Sequence, residues 1–133
     1  MSEQRKDATP AGSDSPGHEK GVFDISALDS ITRHHPAQRA ALLQLVSGLV
    51  ASSADELAQA RALCGEGDTE PALKILHTLR GAVGTLGAKR FADATIVLEK
   101  ALRQGSSETA VHFDSAIAEL KRTLTMAQSW LKE

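Results

Sequence analysis

Tyrosine is absent from this chain, and three Phe and one Trp are its only other aromatics. A core built from it must be aliphatic, drawn mainly from Leu, Val, Ile and Ala, as in helix bundles. With a single cysteine, Cys64, no internal disulfide can form, which fits a reducing compartment. Cys64 is expected to pack as a small apolar residue rather than act as a nucleophile. No apolar run approaches the ~18 residues of a membrane span, and the polar N-terminus lacks the apolar region of a secretory signal, so no membrane contact by this segment is expected. The net charge of −2 leaves no basic footprint for nucleic acid. No stretch shows the two-residue alternation of a half-buried strand. What is present, 41% hydrophobic and 24% charged residues over 133 positions, is ordinary usage for one small globular domain.

Residues 1–21 are rich in Ser, Gly, Pro, Asp, Glu and Lys and nearly devoid of large apolar side chains. Such a stretch cannot bury enough surface to offset its ordering entropy and is expected to be a flexible linker or tail. Residues 22–133 then form one helical domain. Asp24 can cap a short helix reaching about Arg33, with Val22 or Phe23 as a staple. Pro36 ends it, because the residue before a proline is pushed out of the helical region, and opens the next helix at a favoured first-turn position. The adjacent His34 and His35 do not share a helix face, which argues against a metal site there. The second helix runs about 28 residues, roughly 42 Å, to Gly65. Asp68 is placed to cap a third helix, whose pattern continues to about Ala88. A fourth spans Ala88 to Gln104, with Phe91, Thr95, Leu98 and Leu102 inward and Glu99, Lys100 and Arg103 largely outside. A fifth, capped by Ser106 or Ser107, carries an apolar stripe from Ala110 to Leu131. The expected fold is all-α, an antiparallel four-helix bundle with an additional short N-terminal helix.

The third helix holds the chain's most specific stretch, Leu76-His77-Thr78-Leu79-Arg80-Gly81-Ala82-Val83-Gly84-Thr85-Leu86-Gly87-Ala88. With His77 set at 0° on a helical wheel, Ala72, Ile75, Leu76, Leu79, Ala82, Val83 and Leu86 fall within about 80° of the opposite side, so His77 points to water. On its own side lie Leu73, Lys74, Arg80, Gly81 and Gly84. Two interior glycines each cost about 0.5–1 kcal/mol relative to alanine, and here they give close access to the imidazole. An anion on the ring would meet Lys74 and Arg80, whose charge-assisted contacts to phosphate oxygens are strong.

His77-Thr78-Leu79-Arg80-Gly81-Ala82-Val83-Gly84-Thr85-Leu86-Gly87-Ala88 resembles the signature of the histidine-containing phosphotransfer (HPt) domain, commonly written H-x-L-K-G-S-x-x-x-L-G-A. Arg80 stands for the usual lysine and Ala82 for the usual small hydroxyl residue, and in helix pattern the likeness extends from about Phe23 to about Trp130. The resemblance implies a phosphorelay carrier that takes a phosphoryl group on His77 from a receiver-domain aspartate and passes it to another, without a kinase domain of its own. It implies response-regulator receivers as partners, supplying the aspartate and the Mg²⁺, with no cofactor or metal bound by this chain. Arg80 and Lys74 would stabilise phosphoryl charge or meet acidic receiver groups, Gly81 and Gly84 would clear the approach, and Leu73 would belong to the docking patch. The chain is expected to be a cytoplasmic monomer, or the cytoplasmic tail of a membrane-bound hybrid sensor histidine kinase whose remainder would be a further partner.

Other classes fit less well. A histidine kinase dimerisation domain follows its histidine with an acid, where Thr78 stands here. Gly81, Gly84 and Gly87 sit in a helical pattern and match neither Walker nor dinucleotide spacing. A hydrolase is disfavoured because no carboxylate is expected on the His77 face as an orienter. The serious alternative is a non-catalytic helical interaction module that has kept the HPt shape.

Overall fold

A computed structural model describes residues 21–132, so the linker expected over residues 1–21 lies outside the described residues apart from Gly21. The described residues are helical, with no strand: α1 (Ile25–His34), α2 (Pro36–Gly65), α3 (Thr69–Gly84), α4 (Lys89–Arg103) and α5 (Thr109–Leu131). α2 packs on α3, α3 on α4, α4 on α5 and α5 back on α2, while α1 lies against α2.

Most helix boundaries follow local chemistry. Asp24 Oδ1 accepts from the Ala27 N–H at 3.0 Å and caps α1. His35, held extended by the proline that follows it (φ −138°, ψ 74°), separates α1 from α2. Two expected caps are corrected. Asp68 stands at the N-cap of α3 without a side-chain cap bond. At α5 the N-cap position falls to Glu108, and Ser106 Oγ instead accepts the Glu108 N–H at 3.0 Å in the preceding turn.

The third helix also stops earlier than its pattern suggests. α3 ends at Gly84, and Thr85 to Ala88 form a turn in which Gly87 has φ +76°. That turn is held by the segment before α1. The Asp24 N–H donates to Leu86 O at 2.8 Å, the Arg90 N–H donates to Gly21 O at 2.8 Å, and Thr123 Oγ1 donates to Val22 O at 2.9 Å. Val22 and Phe23 are buried in a cluster with Leu86, Ala127 and Trp130. Gly21, Val22 and Phe23 are thus part of the scaffold.

The larger core cluster joins Leu57 and Ala60 of α2, Leu76, Leu79 and Val83 of α3, Phe91 and Leu98 of α4, and Phe113 and Leu120 of α5. Cys64 packs against it half-buried, and burial pushes its thiol pKa up, so it stays protonated at neutral pH. Among the described residues, no helix is long and apolar enough to cross a membrane.

Candidate functional site

α3 buries Ala72, Leu73, Leu76, Leu79 and Val83, and His77 emerges exposed on the other side. Burying each of Leu76 and Leu79 is worth roughly 1.5–3 kcal/mol, so the core holds the helix in this rotation and the imidazole outside. His77 lines a shallow cavity of about 790 Å³ together with Glu70, Pro71, Leu73, Lys74, Thr78 and Arg103.

Arg80 ties the ring to the next helix. Its Nη2 lies 2.7 Å from His77 Nδ1, and its Nη1 donates to Glu99 Oε2 at 2.7 Å. Glu99 is 2% exposed, which corrects its expected placement outside α4. A carboxylate so deep needs a counter-charge, and Arg80 supplies it, with Arg103 Nη2 3.6 Å from the other oxygen. Lys74 is exposed and lines the same cavity, with no ion pair among the described residues. The expectation that no carboxylate shares the His77 face is also corrected, since Glu70 lines the cavity and Glu99 arrives from α4. Neither bonds to the ring. Nδ1 meets a guanidinium where a hydrolytic triad would place a carboxylate, so the triad geometry does not form.

Leu73 is corrected as well. It is only 8% exposed and belongs to the buried set of α3. The wheel took the buried arc to be centred opposite His77, but α3 packs between α2 and α4, and the α4 side takes in the sector that holds both Leu73 and Arg80. Leu73→Glu is accordingly expected to destabilise the fold by about 2–4 kcal/mol through a buried, unpaired charge. A melting temperature lowered by several degrees checks this, and a variant that melts like the wild type contradicts it.

Gly81 is exposed and Gly84 half-buried, and a Cβ on either would meet no atom within 4 Å. Neither packing nor backbone conformation requires glycine at these positions. Gly81→Ala should stabilise the protein by up to about 1 kcal/mol. A longer side chain at 81 would lean toward the helix N-terminus, over the imidazole. Gly81→Leu should therefore fold well and accept phosphoryl groups more slowly than Gly81→Ala, as measured by initial labelling rates. A Leu variant that works at the native rate would contradict the access argument.

The structure thus brings His77, Lys74, Arg80, Gly81 and Gly84 to one face and turns Leu73 mostly inward. Glu99 and Arg103 complete the surroundings from α4. Both were missed because nothing in the local sequence of α4 tells which of its flanks meets α3. An exposed imidazole among three cations on an all-helical scaffold is suited to receive an anionic group. A family model described as the Hpt domain matches residues 44–130, and the chain belongs to that family. Its members are phosphocarriers of phosphorelays, not classical enzymes, and they interact with receiver domains. No curated protein and no solved structure matches the chain. The segment from Gly21 through α1 lies outside the family match, although it anchors the turn after α3.

Proposed function

We infer that this chain carries a phosphoryl group between receiver domains, with His77 as the acceptor and donor residue. The observation that carries the reading is the disposition of the ring: Nδ1 is covered by Arg80 at 2.7 Å, and Nε2 has no partner among the described residues. With the ring proton moved to Nδ1, Nε2 attacks the phosphorus of a receiver's aspartyl phosphate, the N–P bond forms, the P–O bond breaks, its electron pair returns to the aspartate carboxylate, and the ring releases the Nδ1 proton to water. The reverse step on a second receiver regenerates the imidazole. Phosphoryl transfer through a loose transition state depends on in-line positioning and spread positive charge, which Arg80 and Lys74 supply here and the receiver's Mg²⁺ supplies opposite.

The closed ring of helix contacts is read as an antiparallel four-helix bundle, with α1 and its leading strap as an addition. The chain would work as a cytoplasmic monomer or as the tail of a hybrid kinase, joined through residues 1–21. The test is incubation with a phosphorylated receiver, followed by addition of a second, unphosphorylated one. The expected result is an acid-labile label that appears on this chain and then moves to the second receiver. Stable receiver binding without any label on the chain would favour the interaction module instead.

A further inference from the structure

Arginine carries five N–H donors and no acceptor. The 2.7 Å approach of Arg80 Nη2 to His77 Nδ1 therefore requires a lone pair on Nδ1, and the neutral ring then bears its one proton on Nε2. For a nucleophile acting through Nε2 this is the idle tautomer, because the outward nitrogen has a proton where attack needs a lone pair. The nitrogen with the lone pair lies under the guanidinium. Glu99 is what holds the guanidinium there. Its carboxylate is 2% exposed and accepts from Arg80 Nη1 at 2.7 Å. A buried carboxylate without a counter-charge is costly, so Glu99 draws Arg80 toward α4, and the planar fork leaves Nη2 aimed at the ring.

We propose that Glu99 is a positioning residue that parks Arg80 on His77 Nδ1 and so holds the ring in its Nε2–H tautomer until an incoming phosphoryl group draws the guanidinium away. The inference rests on His77 being the phosphoryl acceptor through Nε2. Phosphoryl oxygens offer Arg80 a charged acceptor in place of a neutral ring nitrogen, and charge-assisted bonds are the stronger kind. Once Nδ1 is free, water takes the proton from Nε2 and returns one to Nδ1, and the Nε2 lone pair attacks phosphorus. The N–P bond forms, the bond to the leaving group breaks with its electron pair, and the ring then releases the Nδ1 proton to water. The parked arginine thus restrains His77 toward donors that do not engage it, and becomes part of the charge clamp when one does.

Phosphoramidate tests this without a receiver; ammonia leaves with the P–N electron pair. Glu99→Gln keeps the shape and a neutral acceptor but weakens the hold on Arg80. Because the rate follows the fraction of rings in the competent state, labelling of His77 should rise about three- to tenfold. In an Arg80→Gln background there is no guanidinium to park, and adding Glu99→Gln should change the rate by less than about twofold. Labelling that is unchanged or slower in Glu99→Gln, or equally accelerated in the Arg80→Gln background, overturns the proposal. The ¹⁵N shifts of the wild-type His77 ring test it even if the variant does not fold. They should show the neutral ring with Nδ1 unprotonated and a proton on Nε2, and a neutral ring mainly in the Nδ1–H form overturns it. Failure of a phosphorylated receiver to label His77 would instead count against the carrier reading, leaving the tautomer result to decide the parking of Arg80.

Discussion

His77→Gln is expected to abolish phosphoryl acceptance while shifting the melting temperature by no more than about 2 °C. The two halves of this result have separate causes. The ring lies outside the apolar face of α3, whose register is held by Leu76, Leu79 and Val83 at 0–1% exposure, so its replacement leaves the core untouched. Surface changes of this kind stay within about 0.5 kcal/mol. Glutamine keeps a polar group that Arg80 can still meet, but its amide has no nitrogen lone pair to attack phosphorus. Loss of function should therefore be complete and not a matter of degree. His34 and His35 are exposed at the junction of α1 and α2, and His112 is half-buried on α5; glutamine at any of the three should leave acceptance at the wild-type level. Phosphorylation retained in His77→Gln would contradict the site.

A large effect on stability is also expected at Gly87, and it comes from contacts far apart in sequence. Its φ of +76° lies in the region that a side chain rarely adopts, and a Cβ there would run into Cβ of Asp24. Asp24 cannot simply withdraw, because its N–H donates to Leu86 O at 2.8 Å and its side chain caps α1. Gly87→Ala must therefore strain the turn, displace the strap before α1, or both. The expected cost is about 2–3 kcal/mol, read as a lower midpoint in urea unfolding with the slope little changed. Phosphoryl acceptance by the folded fraction should persist, since His77 lies on α3 well before this turn. A Gly87→Ala variant as stable as the wild type would mean that the strap does not bear on the turn as described. The same strap lies outside the family match, so shortening the chain to residues 44–130 should lose the contacts made by Val22 and Phe23.

The features readable in the sequence are those decided locally. The break at His35-Pro36, the cap at Asp24 and the outward direction of His77 follow from dihedral preference, a side-chain acceptor and helical periodicity. The helical pattern of the third helix reads on through Gly87 to about Ala88, yet Gly87 serves a turn whose shape depends on Asp24, 63 positions earlier in the sequence. The burial of Leu73 and Glu99 is hidden from the sequence for a related reason. A helical wheel gives angles about one helix axis, and which sector is covered depends on where the neighbouring helix lies. α4 covers the flank of α3 that holds Leu73 and Arg80, and in doing so buries Glu99 at the edge of its own apolar face. The pairing of Arg80 with Glu99 spans 19 residues and leaves no periodic trace.

On the proposed function, the phosphoryl group resides on one nitrogen of one histidine. Nuclear magnetic resonance on ¹⁵N-labelled protein, phosphorylated by a receiver, addresses it directly, because a phosphorus atom bonded to nitrogen splits the ring signal. The account predicts a one-bond ³¹P–¹⁵N coupling to Nε2 of His77, with no coupling at His34, His35 or His112. Coupling to Nδ1, to a different histidine, or to no ring nitrogen at all would contradict it.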